Sequence, residues 1–197
     1  MCVGYGQVRR NVAAGLGVTT YIVLLRGINV GGNNKIDMGR LKTVFAAFGF
    51  ADVMTYINSG NVILSSDKDI ATVQSDCRAL ILRHFGLDIA VAVLSSGELA
   101  VAIANAPRWW GKDGDAKHNA IFVISPATVR EVLGEMGEIK GEYERIGFHG
   151  SVIFWSAPLA TFSRTKYGTM AKRATYGKVT VRNFNTACKL AELAGGG

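Results

Sequence analysis

Apolar residues occupy both faces of the stretch from Thr20 to Leu25, with Tyr21, Val23 and Leu25 on one side of an extended chain and Ile22 and Leu24 on the other. A strand apolar on both faces is predicted to lie in the middle of a sheet. The period then changes. Met38, Leu41, Val44, Phe45 and Phe48 recur at helical spacing behind Asp37, a capping residue, and Gly49 ends the helix. Val53 to Ile57 and Val62 to Ser65 read as two strands joined across Asn58-Ser59-Gly60-Asn61. A second helix, begun by Asp67 or Asp69, runs through Ile70, Val73, Cys77, Leu80 and Ile81 and stops near Gly86, after which Asp88 to Leu94 is again extended. The order βαββαβ is that of the ferredoxin-like split unit.

Beyond Leu94 the pattern gives a short helix around Glu98 to Ala104, a loop from Pro107 to Lys117 and a strand from Asn119 to Ile124. Ser125 is expected to cap the next helix, with Pro126 at its first position and Val129, Val132, Leu133 and Met136 buried. Tyr143 to Phe148 and Val152 to Trp155 form a hairpin across His149-Gly150, and a strand at Lys178 to Val181 leads into a last helix holding Leu190. This half can also be written βαββαβ plus a terminal helix, although the two halves share no sequence repeat. The expected fold is therefore α+β: a ferredoxin-like unit over residues 19–95, and a second α+β unit over 96–194 packed on the first. Residues 1–18 are expected to be a loose extension. Arg9 and Arg10 precede a weakly apolar run that leads into the first core strand, so a cleaved signal would remove the start of the fold; an early start codon is the alternative.

With 197 residues, 49% apolar and 19% charged, the chain can bury a real core. Its longest apolar runs, such as Tyr21 to Leu25 and Ile89 to Leu94, fall far short of a bilayer span, so no membrane partner is expected. Cys2, Cys77 and Cys188 are odd in number and lack C-x-x-C spacing, which points to a reducing, cytoplasmic setting. Charge is unevenly placed within the net +7. From Arg145 to Lys189 there are eight basic residues and no acid. Such a segment suggests an anionic partner, unless acids from the middle of the chain pair with it after folding.

Three polar segments carry the candidate chemistry. In the first, Leu24-Leu25-Arg26-Gly27-Ile28-Asn29-Val30-Gly31-Gly32-Asn33-Asn34-Lys35-Ile36, an apolar strand breaks into a glycine- and asparagine-rich loop ahead of a helix. Gly27 and Gly32 have the separation of the glycines in a phosphate-binding loop, but Asn33 and Asn34 replace its lysine and hydroxyl, which excludes an NTPase of that kind. Backbone N–H groups freed by glycine can still hold an anion, with Arg26 or Lys35 supplying charge; a tight crossover is the plainer reading. The second segment is Asn58-Ser59-Gly60-Asn61. The third is Val181-Arg182-Asn183-Phe184-Asn185-Thr186, in which Arg182 offers bidentate donors and Asn185 is expected to cap the last helix.

These three segments resemble the signatures of a bacterial domain-of-unknown-function family, number 1697, and the likeness runs from about Thr20 to about Leu193. The resemblance implies that the first and third segments are family signatures, expected to face one another. It implies no activity, because the family carries none to transfer.

The remaining candidates are weaker. Ser163 and Lys166 form S-x-x-K, a spacing that Ser65 to Lys68 also matches; the stretch is better read as basic and hydroxyl-rich, suited to phosphate. His84, His118 and His149 lack metal-ligand spacing, so neither a metal nor a cofactor is predicted, although His118 could act as an acid or base at a cleft mouth. Trp109-Trp110 either stack on a partner or cover the core.

The candidate ligand-binding residues are thus Arg26, Gly27, Asn29, Gly31, Gly32 and Lys35 from the first loop, and Asn58, Ser59 and Asn61 from the second. Ser163, Lys166, Arg182 and Asn183 complete them, and no catalytic residue is assigned. The leading expectation is an anionic ligand, either nucleic acid or a nucleotide-like phosphorylated molecule. The alternatives are a small enzyme acting on a phosphorylated or carboxylated metabolite and an interaction module with no ligand. Oligomeric state is not specified by any of these patterns.

Overall fold

The structure is a computed structural model and describes residues 17–167 and 174–195. Strand β1 (Thr19–Leu25) is followed by helix α1 (Met38–Phe48), strands β2 (Ala51–Tyr56) and β3 (Asn61–Ser66), helix α2 (Ile70–Phe85) and strand β4 (Val91–Ser95). The four strands form one antiparallel sheet in the order β2-β3-β1-β4, which is the ferredoxin-like arrangement. Asp37 caps α1 through the Arg40 N–H, and Gly49 ends it at φ 111°. Asp69 caps α2 through Thr72.

Helix α3 (Ser96–Ala104), strand β5 (Ala116–Val123), helix α4 (Val129–Met136), strands β6 (Arg145–His149), β7 (Val152–Pro158) and β8 (Val179–Asn183) and helix α5 (Phe184–Gly195) follow. The second sheet has the order β6-β7-β5-β8, the same arrangement as the first when its strands are counted from β5. Between β7 and β8 the described residues hold two 3-10 turns, Leu159–Arg164 and Ala174–Lys178. The start of α4 differs from expectation. Helix α4 is capped by Thr128, in a reciprocal box with Glu131, and Ser125-Pro126 belongs to the turn before it. A threonine followed three residues later by glutamate satisfies two backbone donors at once, more than serine before proline offers.

The sheets and helices stack in alternating layers. Tyr21, Val23 and Leu25 of β1 pack with α1 and α2 on one face, while Ile22 and Leu24 face the opposite way with Leu99 and Ala102 of α3 and Ala187 and Leu190 of α5. The same middle layer is closed from the far side by Ala120 and Phe122 of β5 and Val152 and Phe154 of β7. The outer face of the second sheet carries Ile121, Ile153 and Trp155 against Val132 and Met136 of α4. Each such apolar side chain contributes about 1.5–3 kcal/mol when removed from water. The central position of β1 explains why it had to be apolar on both faces. Among the described residues no helix is long and apolar enough to cross a membrane.

Candidate functional site

The chain leaves β1 through a loop whose backbone runs largely in the left-handed region, at Gly27 (φ 63°), Asn29 (54°), Gly31 (59°), Gly32 (81°) and Asn34 (47°). Glycine adopts such angles without steric cost and asparagine tolerates them better than most residues, which is the local reason for this composition. Val30 to Asn33 close a tight turn over Gly31-Gly32 through Asn33 N–H to Val30 O at 3.1 Å. Ile28 and Ile36 anchor the loop's two ends in the core.

Asn29 organises the loop. Its Nδ2 donates to Ile36 O and to Asn58 O, both at 2.9 Å, and its Oδ1 accepts from Ile36 N–H at 2.9 Å. Asn34 Nδ2 donates to Gly27 O at 3.1 Å. Arg26 Nε donates to Tyr176 O at 2.8 Å, and its guanidinium lies 4.7 Å from the centre of that ring. The outward groups are different. The N–H groups of Gly31, Gly32 and Lys35, the Lys35 ammonium and the Asn58 side-chain amide have no protein partner among the described residues. Gly32, Lys35 and Asn58 line an open hollow of about 410 Å³ with Asn29, Ile36 and Asp37. The Asp37 carboxylate there is engaged in capping α1. Ile57, just before Asn58, sits at φ 49° while 51% exposed. A β-branched residue held in that region stores about 1–3 kcal/mol, a strain that clusters at sites of function.

The third segment turns inward. Arg182 is 6% exposed, and its five N–H groups are all engaged: Nε by Asn61 Oδ1, Nη1 by Thr180 Oγ1 (2.9 Å) and Val181 O (2.8 Å), and Nη2 by Leu25 O (3.0 Å) and Gly60 O (3.1 Å). Burial lowers its pKa to about 10, so the guanidinium is charged at neutral pH with neutral acceptors around it. Asn61, fully buried, donates from Nδ2 to Tyr56 O at 2.9 Å and to Ser59 Oγ at 3.0 Å. Gly60 is held at φ 76°, and a Cβ there would lie 2.8 Å from Leu25 Cβ and 2.9 Å from Ile28 Cγ1. The three polar segments therefore meet, clasped by Arg182, which has no N–H left for a ligand.

Asn183 caps α5, its Oδ1 accepting from Thr186 N–H at 2.8 Å. This corrects the expected cap at Asn185, which is exposed and lies inside the helix. β8 pairs with β5 as far as Asn183, so the helix starts one residue later and the cap falls on the asparagine at the junction. Ser163 is exposed in the 159–164 turn, and Lys166 N–H donates to Glu144 Oε1 at 2.7 Å. Lys172 and Arg173 lie outside the described residues. Elsewhere in the basic segment one acid from the middle of the chain does arrive, Glu135 pairing with Lys178, while Lys189 pairs with Glu192 of its own helix at 2.6 Å. Trp110 is buried edge-on against Phe154 and Phe184, at 4.8 and 4.7 Å between ring centres, and its Nε1 donates to Asn119 O. The Cys77 thiol is buried and its pKa is pushed up by desolvation, which makes it a poor nucleophile.

Two features escaped sequence reasoning. Glu144, 2% exposed, accepts from Trp155 Nε1 at 2.8 Å and from the Lys166 and Tyr167 N–H groups, and no spacing marks it. His118 does line a cleft, but with Ser156 and Arg145, partners that only the strand register reveals.

The fold and this loop cluster define a two-sheet α+β protein with paired ferredoxin-like strand orders. The chain matches a family of proteins of unknown function, DUF1697, over residues 18–154, and it belongs to that family. The matched span contains the first two polar loops and ends before Arg182. Among solved structures the chain is similar to the conserved bacterial protein SP0830 from Streptococcus pneumoniae, with 28% identity and a TM-score of 0.82 over 90% of this chain and 99% of that one. No curated protein matches.

Proposed function

We propose that the protein binds a small anionic ligand, of the phosphorylated or nucleotide-like class, in the hollow between the Asn29–Lys35 loop and Asn58. The observation that carries this reading is that Lys35, Gly32 and Asn58 line one open concavity while the Lys35 ammonium, the Gly32 N–H and the Asn58 side-chain amide have no partner among the described residues. Ordered backbone N–H groups beside a cation are what an oxyanion needs. A small ligand is favoured over a long polyanion because Arg182 is buried and Lys178 and Lys189 are each paired with a carboxylate, which interrupts the basic segment as a phosphate-tracking face.

Calorimetric titration with inorganic phosphate and with a mononucleotide tests the reading. Saturable binding is expected, weakened about tenfold or more by Lys35→Ala with an unchanged melting temperature, since loss of a charged hydrogen bond is worth about 1.5–3 kcal/mol. Binding that Lys35→Ala leaves intact would place the anion elsewhere. Tight binding of RNA or DNA with a steep loss on adding salt would restore the nucleic-acid reading.

A further inference from the structure

A second polar cavity lies at the far end of the second sheet, under the loop that joins α3 to β5. It has a volume of about 120 Å³, and its lining includes His118, Ser156 and Arg145 together with the acids Asp113, Glu142 and Glu144. In the strand register His118 of β5 stands opposite Ser156 of β7, which in turn stands opposite Arg145 of β6. Directly opposed residues in antiparallel strands project from the same face, so the three side chains form a row into the cavity.

Each member of that row has capacity that the protein does not use. His118 Nε2 lies 2.8 Å from Asp113 O, and a carbonyl only accepts, so Nε2 carries the proton. In the neutral ring Nδ1 is then a bare lone pair, and it is buried with no hydrogen-bond partner. Ser156 is 6% exposed, and its hydroxyl, which takes no partner among the described residues, is still reached by solvent. The exposed Arg145 makes no ion pair among them. A buried polar atom left unpaired costs free energy, so His118 Nδ1, in a residue that lines this small cavity, calls for an occupant.

The row dictates the occupant's chemistry. Nδ1 requires a donor, Ser156 accepts or donates, and Arg145 requires a carboxylate-like acceptor. We infer that this cavity binds a small carboxylate bearing a hydroxyl or an ammonium on the neighbouring carbon, with the donor on His118 Nδ1 and the carboxylate toward Arg145. The volume equals roughly four water molecules at about 30 Å³ each, room for a molecule of roughly five or six heavy atoms. The three acids of the lining, Asp113, Glu142 and Glu144, oppose any ligand that is purely anionic and favour one that also carries a donor or a positive charge.

The test is nitrogen NMR of the histidine rings of the full chain, titrated with glycolate, glycine, acetate and ethanolamine. Glycolate or glycine is expected to shift the His118 Nδ1 resonance saturably, and the tighter of the two tells a hydroxy acid from an amino acid. Acetate lacks the donor and ethanolamine lacks the carboxylate; each is expected to bind at least about tenfold more weakly. Arg145→Ala should weaken glycolate and glycine by about tenfold or more without altering the melt, while Lys35→Ala should leave both unchanged. No movement of Nδ1 with any of the four compounds, acetate equal to glycolate, or an Arg145→Ala variant that binds as wild type does would each overturn the assignment.

Discussion

In the loop from Arg26 to Lys35 the N–H groups of Gly31, Gly32 and Lys35 have no acceptor among the described residues, whereas in the segment from Val181 to Thr186 Arg182 gives all five of its N–H groups to the interior. Both are polar runs placed between a strand and a helix, and both look like binding sequences. What separates them is the direction in which donors are satisfied. A polar loop becomes a clasp when buried carbonyls such as Leu25 O and Gly60 O are within reach, and remains an open surface when they are not.

The largest effect that this contrast predicts is at the clasp. Arg182→Ala leaves Asn61 Oδ1 without its donor, a loss of about 1–3 kcal/mol for a buried unsatisfied group, and takes one of two donors from Gly60 O, which keeps Leu25 N–H, and from Leu25 O, which keeps the Thr180 hydroxyl. We expect a loss of roughly 3 kcal/mol in a denaturant titration. Arg182→Lys should recover only part of it, because an ammonium has three donors and no planar fork. If Arg182→Ala unfolds at the wild-type midpoint, the contrast between inward and outward segments collapses.

Glycine substitution sharpens the same comparison. Gly60→Ala places a methyl group against Leu25 and Ile28 at a backbone angle alanine resists, and overpacking of this kind costs about 1–3 kcal/mol. Gly32→Ala meets nothing within 4 Å and should cost only the left-handed backbone term of about 1 kcal/mol. Thermal melts that rank the two in the reverse order would show the Gly60 neighbourhood to be looser than it is drawn.

The smallest effect concerns the two asparagines. Asn183→Ala removes the α5 cap and should cost about 1 kcal/mol, whereas Asn185→Ala, at an exposed helical position, should stay within about 0.5 kcal/mol. Equal losses in the two variants would show that α5 begins elsewhere.

Much of the fold was legible because it rests on local signals. The two-faced strand at Tyr21 to Leu25, the Asp37 cap and the Gly49 stop are each readable within a few residues, and all three appear in the structure. The helix starts at α4 and α5 were misplaced because several candidate caps stand side by side, and strand pairing decides which is used. The site was legible only in part. Gly31, Gly32 and Asn29 announce a loop of unusual backbone, but the burial of Arg182 depends on Asn61, and the row of His118, Ser156 and Arg145 depends on register across three strands. No one-dimensional pattern encodes such meetings.

Helix α5 follows all eight strands in the sequence, yet it lies in the middle layer, where Ala187 and Leu190 meet apolar side chains of both sheets. A chain growing from a ribosome can pair β1 with β3 and β5 with β7 long before that helix emerges. Until it does, Ile22, Leu24, Phe122 and Phe154 have no finished layer to pack against. Before α5 emerges the nascent protein therefore holds two nearly complete sheets whose inner surfaces are covered by α3 alone, a stage at which exposed apolar surface invites chaperones or aggregation.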